Sequence, residues 1–369
     1  MINKYLKAIK PILATLLLGF VLITPAQAQF GDIGTFLKAG ADDAAILTKE
    51  YLRPYPTGFG TALNTGFTEA AAPKKLFGFS LQIRPSVAVV PADAKSFDIS
   101  SLGLQKIRVS PGENSVSPTI AGSSDNGPML EIFEKDSFGT EHKISDFRMP
   151  GGTGFGYVPA PIIQASVGLI KGTDVTLRFF PETKLGDFGD VSLLGGAVKH
   201  DVGQYIPGGS VLPVDISVMV GFNKININAN LDLQPDAGAT RDPNDPSIAQ
   251  NSNPDFSSQK TTTSTNTFVA NVLVGKSLPF ISGYAGLGFQ KASFELKMKG
   301  DYPISSYNPI TPGDDFAVLS DPFSLTIDSD SGIHALAGFR IRLGILAFYG
   351  EATLANYFTA NAGIGISFR

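Results

Sequence analysis

The chain has 369 residues, of which only 17% are charged, with 40 glycines, 25 prolines, no cysteine and three histidines. Disulfides, thiolate metal sites and cysteine nucleophiles are therefore excluded, and His142, His200 and His334 are too scattered to suggest a local metal-ligand motif. Lys4, Lys7 and Lys10 fall in the first 28 residues; the remainder carries 26 basic and 33 acidic residues, a net −7 that offers nothing to nucleic acid.

Residues 1–28 read as an export signal. The three lysines precede an apolar run at residues 11–24 (PILATLLLGFVLIT), and Ala26-Gln27-Ala28 supplies a small-residue cleavage site, making Gln29 the first mature residue. That run is too short for the roughly 20 residues of a spanning helix, and no later stretch approaches that length. The remaining classes are a soluble exported β-sandwich and a transmembrane β-barrel, whose strands meet lipid only at alternate residues.

In residues 29–73, Asp42-Asp43 can cap a helix running to about Leu52, with Ala44, Leu47 and Tyr51 on one face and Pro54 ending it. A Gly-, Thr- and Asn-rich stretch follows at residues 56–66. The segment reads either as a periplasmic tether with one amphipathic turn or as a plug entering the barrel from the periplasmic side.

From residue 74 onward, strict alternation recurs. Phe77, Phe79, Leu81 and Ile83 alternate with Gly78, Ser80, Gln82 and Arg84. The same period holds over residues 163–169, 175–179, 214–222, 333–342 and 346–354. In two long strands the apolar set changes phase, after Phe222 to Ile225, Ile227 and Ala229, and after Phe289 to Phe294, Leu296 and Met298. A β-bulge shifts phase in this way. Residues 198–206 place Val198, Val202, Tyr205 and Ile206 at helical spacing and predict a short interfacial helix. The last strand alternates Phe358, Ala360, Ala362, Ile364, Ile366 and Phe368 with small polar residues, the length a tilted strand needs to cross a bilayer.

Connection lengths give an independent test. Counting back from a descending last strand, the long segments near residues 91–153, 234–266 and 300–332 all fall on one side, as the outer loops of bacterial barrels do. The expectation is an all-β fold, an antiparallel transmembrane barrel of 10–14 strands with a short N-terminal helix and a Gly-rich plug. The count is ten strands; twelve, the number adopted, requires a hairpin from residues 97–109 and 129–147. Twelve strands at about 4.8 Å spacing close near 24 Å across and leave a bore of at most about 10 Å.

The block YLRPYPTGFGTALNTGF at residues 51–67, the block AVKHDVGQYIPGGSVLPVDISVMVGF at residues 197–222 and the terminal NAGIGISFR carry a resemblance. On them the chain resembles an uncharacterised family of predicted outer-membrane barrels from Gram-negative bacteria. That family lends a fold and a location in the outer membrane but no activity. The Gly-rich block after a short helix is also similar to long-chain fatty-acid transporters, whose N-terminal segment forms a hatch inside the barrel.

Gly151-Gly152-Thr153-Gly154-Phe155-Gly156 looks like a nucleotide loop, but Pro159 and Pro161 follow where a helix is needed, so it reads as a flexible strand entrance. No nucleophile elbow or zinc-protease motif occurs, and His334 reads as a polar wall residue. Neither catalysis nor a cofactor or metal is expected. The alternation sends Arg84, Arg178, Asp215, Arg340, Arg342 and Glu351 into the lumen, either as wall-stitching pairs or as an anion-leaning bore. The expected role is passive uptake of a small or hydrophobic solute by a monomer whose partner is outer-membrane lipid. The rival is a non-transporting barrel whose outer loops bind partners.

Overall fold

The computed structural model describes residues 34–136, 138–184, 186, 189–207, 213–306, 315–329 and 332–368. The expected export signal, residues 1–28, lies outside the described residues. After a short helical stretch at residues 34–36 and a 3₁₀ turn at Leu37–Ala39 come two α-helices, α1 (Ala41–Leu52) and α2 (Pro54–Asn64). Then come β1 (Phe79–Ile83) and β2 (Ser86–Val89), followed by β3 (Ser96–Asp98), β4 (Ile107–Val109), β5 (Val116–Pro118), β6 (Met129–Lys135) and β7 (Glu141–Arg148). Next are β8 (Tyr157–Ala160), β9 (Ile163–Gly168), β10 (Thr173–Lys184), β11 (Gly189–Asp201), β12 (Asp215–Asn230), β13 (Lys260–Ser277) and β14 (Ile281–Lys299). The chain ends with β15 (Asp301–Ser305), β16 (Phe316–Ser320), β17 (Ser324–Asp328), β18 (Gly332–Leu343), β19 (Leu346–Leu354) and β20 (Phe358–Phe368).

Ten antiparallel strands close into a barrel, in the order β1, β9, β10, β11, β12, β13, β14, β18, β19, β20, with β20 pairing back onto β1. β2 and β8 continue β1 and β9 upward past Pro85 and Pro161, and β17 continues β18 along β14. Proline cannot donate to a ladder, so the wall is interrupted there. The bonds Arg84 N to Ile162 O (2.8 Å) and Ala362 N to Pro85 O (3.3 Å) carry the pairing across the gap. One end has the shorter connections, at residues 169–172, 202–214, 278–280 and 344–345. The long connections at residues 90–156, 231–259 and 300–331 all leave from the other end.

The hairpin that twelve strands required does not enter the wall. Residues 97–109 and 129–147 contribute to two small separate sheets, β3 with β5 and β4 with β6 and β7. One face of the β4–β6–β7 sheet buries Leu130, Ile132 and Phe147. Its ion pairs Arg108–Glu141 (2.9 Å) and Lys143–Glu131 (3.0 Å) need water rather than acyl chains.

The phase changes have a cause other than a bulge. β12 pairs with β13, and β13 with β14, in one unbroken register along their whole lengths. Phe222 is 57% exposed and Ile225 3%, yet inward and outward positions alternate without a slip between them. What inverts is the solvent. Up to Phe222, Phe268 and Phe289 the outer face is apolar and the inner face mostly polar, apart from a patch of Met219, Val269, Leu273 and Leu336. Beyond them the outer face carries Lys224, Lys291, Glu295 and Lys297, and the inner face carries Ile225, Phe294, Leu296 and Met298. The strands thus rise out of the lipid and become the wall of a water-facing lobe. Exposed Phe179, Phe222, Phe268, Phe289 and Phe358 mark the upper boundary, with Phe222 directly opposite Phe268. At the lower boundary Phe79 lies opposite the penultimate Phe368. The register does shift within β10, between Phe180 and Thr183.

The lobe core joins Phe36, Leu47, Tyr51 and Leu52 to Ile107, Leu130, Phe147, Leu296 and Tyr302. α1 therefore sits at the end with the long connections, opposite to where a periplasmic tether would lie. Its capping also differs from expectation. Gly40 is the N-cap, and the buried Asp43 carboxylate instead accepts from the backbone N–H groups of Gln105, Lys106 and Ile107 at 2.8–3.1 Å. Pro54 ends α1 and at once starts α2, because its fixed φ suits a first helical position and its missing N–H is not needed there. The Gly-rich stretch is thus helical to Asn64. Residues 203–205 form only a single 3₁₀ turn, and Val198 belongs to β11, exposed on its outer face.

Candidate functional site

Ten strands at about 4.8 Å spacing close near a 20 Å backbone diameter, and a helix with its side chains is about 10 Å wide. One helix fits only if its residues are small. α2 supplies them: Gly58 lies where a Cβ would stand 2.5 Å from Val158, and Gly60 where a Cβ would stand 2.6 Å from Ala292. α2 packs against β2, β8, β12, β13, β14, β17 and β20, strands from all round the wall. After Asn64 the chain is irregular, with bends at residues 65, 67, 69, 71 and 72 and a turn at 76–77 before β1, and residues 64–74 bond to inward side chains of the wall.

The path can be followed bond by bond. Asn64 Nδ2 donates to Phe268 O (3.1 Å), and the Thr65 hydroxyl meets that of Ser86 (2.9 Å). Arg178 donates through Nη1 to Leu63 O and through Nη2 to Thr65 O, both at 2.6 Å, and its guanidinium lies 3.4 Å from the centre of the Phe67 ring. Arg84 donates to Thr68 O (2.6 Å), Gly66 O (3.2 Å) and Asn361 Oδ1 (2.6 Å), and pairs with Glu351 at 3.7 Å. Glu351 accepts from Gly66 N and from the Tyr284 hydroxyl, both at 2.7 Å. Lower down, Lys199 donates to Ala70 O (2.8 Å) and pairs with Asp174 (3.3 Å), which also accepts from Lys74 N (3.0 Å). Glu69 pairs with Lys74, with Arg340 (3.0 Å) and with the Gln82 amide (2.8 Å). Ser217 donates to Ala71 O (2.8 Å). Each buried charge in this column has hydrogen-bonding partners, as burial demands.

Of the residues assigned to the lumen from sequence, Arg84, Arg178 and Glu351 are fully buried around residues 63–68, and Arg340 reaches Glu69. Arg342 is separate from them, its guanidinium donating to Pro279 O (3.3 Å) beside a short turn. Asp215 is half-buried at the lower end of β12. Glu69, Lys74, Asp174, Lys199 and Tyr284 were missed. Lys199 follows the inward phase of β11 but lies where a short interfacial helix was expected, and Asp174 follows the inward phase of β10 just before the alternation recognised at residues 175–179. Glu69 and Lys74 stand in a segment with no periodicity to give their direction. The His334 imidazole meets Asn271 Oδ1 at 2.8 Å. Residues 151–156 are irregular chain in the lobe, where Gly151 O accepts from the Tyr51 hydroxyl (2.8 Å). No helix among the described residues is long and apolar enough to cross a membrane, which says nothing of strands.

A family model matches residues 6–368, nearly the whole chain. The chain belongs to DUF6588, a family of unknown function. No curated protein matches it. Among solved structures it is similar to outer-membrane barrels. The attachment invasion locus protein Ail of Yersinia pestis shares 7% identity over 79% of this chain and all of its own, at a TM-score of 0.23. The translocator domain of the autotransporter NalP from Neisseria meningitidis shares 10% over 90% of this chain and 99% of its own, at 0.25. The P. putida toluene transporter TodX shares 11% over 85% of this chain and 76% of its own, at 0.23. These likenesses are too distant to transfer anything beyond barrel architecture.

Proposed function

We propose that this DUF6588 protein is an outer-membrane channel closed by its own N-terminal segment. It passes a small solute by passive movement once that segment shifts. The observation that supports this reading is that, beside the apolar contact of Phe67 and Ala71 with Met219, Val269, Leu273 and Leu336, wall side chains hold residues 63–74 by donating to their backbone carbonyls. Polar contacts of this kind exchange for water at modest net cost, whereas an apolar core that opened would expose its whole surface. A lumen filled for stability alone is better served by apolar packing, because buried charges are costly to desolvate. The exposed apolar belt suits outer-membrane lipid, and a closed sheet has no edge to pair with a neighbour, so one chain suffices. The bore of the ten-strand wall, at most about 6 Å once wall side chains are subtracted from the roughly 20 Å backbone diameter, restricts passage to small solutes.

Planar-bilayer conductance tests this. Deleting residues 29–73 opens the barrel, and an oxidised Thr65→Cys/Ser86→Cys pair, placed where two hydroxyls stand 2.9 Å apart, suppresses the openings of the full chain until it is reduced. A folded deletion barrel that stays solute-tight refutes the channel. It would turn attention to the lobe as a binding surface.

A further inference from the structure

We propose that the solute carries an oxyanion, a carboxylate or a phosphate, and that Arg178 with Arg84 is its binding locus, occupied in the closed state by the chain's own carbonyl oxygens. This deepens the channel reading and rests on it.

The charge count of the lumen supports it. The wall contributes Arg84, Arg178, Lys199 and Arg340 against Glu351 and Asp174, an excess of two positive charges. The threaded segment adds Glu69 and Lys74, which cancel. The excess is met instead by neutral acceptors, the carbonyls of Leu63, Thr65, Gly66, Thr68 and Ala70.

Arg178 is the clearest case. It is fully buried, and among the described residues no carboxylate pairs with it. Its two terminal nitrogens each hold one carbonyl oxygen at 2.6 Å, the fork-to-two-oxygen arrangement by which arginine takes a carboxylate or phosphate. Leu63 O also accepts from Asn223 Nδ2 (2.9 Å), and Gly66 O from Gln164 Nε2 (2.8 Å). When the segment moves, four donor side chains are left around two vacated acceptor positions: Arg178 and Asn223 around that of Leu63 O, and Arg84 and Gln164 around that of Gly66 O. A charged oxyanion is a stronger acceptor than a neutral amide carbonyl, so it competes for these donors with the segment. It binds only the displaced arrangement and therefore shifts the population toward it. The solute in this scheme opens its own path.

The test uses the full chain in planar bilayers at constant ionic strength, with chloride replaced in turn by acetate and by phosphate. Opening frequency rises with the oxyanion, roughly tenfold at ten times its dissociation constant, and chloride has no such effect. A response to acetate alone assigns carboxylate solutes, and a response to phosphate alone assigns phosphorylated ones. The deletion barrel lacking residues 29–73 is open without oxyanion and prefers anions over cations. Arg178→Met, which also removes two bonds that hold the segment closed, raises basal openings and loses the oxyanion response, and Arg178→Lys, which retains charge without the fork, keeps part of that response. Should Arg178→Met fail to fold, the comparison of salts on the unmodified chain decides alone. Equal opening in all three salts, with a deletion barrel that conducts, overturns the oxyanion locus and leaves the channel standing. A deletion barrel that stays closed removes both.

Discussion

Gly60→Ala sets two known effects against each other. In an isolated helix the change is favourable by about 1 kcal/mol, because glycine loses more backbone entropy on folding than alanine. In this fold the added Cβ would stand 2.6 Å from Ala292 Cβ, well inside contact distance. Ala292 is in β14, and its N–H and C=O are both tied to Ser329, so the wall has little room to yield. Overpacking typically costs about 1–3 kcal/mol. The clash outweighs the propensity gain, and the net expectation is a destabilisation of about 1 kcal/mol. Ala292→Gly opens the space, so in the double variant the clash disappears and the two changes couple favourably by about 1–2 kcal/mol. The measurement is a urea titration in detergent, read by far-ultraviolet circular dichroism and by the gel mobility of the folded barrel. A Gly60→Ala variant that is more stable than the parent, with no coupling to Ala292, would mean that α2 does not pack against the inner wall. The lumen placement of residues 54–74 would then be wrong.

Three further outcomes follow from the same geometry. Asp42 is exposed on α1 and Ser277 ends β13 at the short-turn end. In intact cells a membrane-impermeant maleimide labels Asp42→Cys, while Ser277→Cys reacts only after the outer membrane is permeabilised; the reverse pattern refutes the orientation. Val272→Arg, on the outer face of the apolar belt, costs about 2–4 kcal/mol in a lipid bilayer, whereas Asn226→Arg, above the Phe222 boundary, costs about 0–1 kcal/mol. Equal penalties would remove the boundary. In the lobe, burial works to raise the Asp245 pKa, but hydrogen bonds from Ser247, Arg241 and Val318 N outweigh it and hold the carboxyl below its ordinary value. The folded value is the depressed one. Its stabilisation is therefore complete above the unfolded carboxylate pKa, about 3.9, and is lost as pH falls below that toward the folded value. Acid proteolysis of residues 231–259 should accelerate in that window, and should do so less in Asp245→Asn, which has no such carboxylate to protonate.

The wall was legible in the sequence because period two is a direct imprint of a sheet with different media on its faces. The final strand illustrates this: Phe358 to Phe368 alternates without error, and every outward apolar residue could be named. The strand count was less legible, because an amphipathic hairpin such as residues 129–147 looks the same whether its apolar face meets lipid or a lobe core. The charges on its other face, Glu131, Lys143 and Glu141, were the discriminating signal. The inversion after Phe222 was read as a bulge because one-dimensional alternation cannot distinguish a slipped register from an exchanged solvent. The direction of residues 34–74 had no local signal at all. It is fixed by contacts such as Arg84 with Thr68 and Asp43 with Ile107, between groups far apart in sequence.

Those contacts also explain why one segment serves two regions of opposite chemistry. Above the lipid, the inner face of β12 and β14 is apolar and has nothing to bury against until Phe36, Leu47 and Leu52 of the N-terminal region complete the core. Within the lipid, the inner face is mostly polar and charged, and residues 63–74 present the carbonyls that its cations need and set Phe67 and Ala71 against its apolar patch. Exchanging the two halves of the segment would leave apolar strands against backbone dipoles and arginines against leucines, costly in both places. The segment is therefore ordered as its two surroundings are: an apolar helix first, a small-residue helix through the neck, then irregular backbone with carbonyls free for the wall donors. That ordering requires the chain to enter from the lobe and run down to β1. It also couples the two regions, since α1 and α2 are separated by Arg53 alone, and a displacement of residues 63–74 along the axis cannot occur without strain at the lobe core that holds α1.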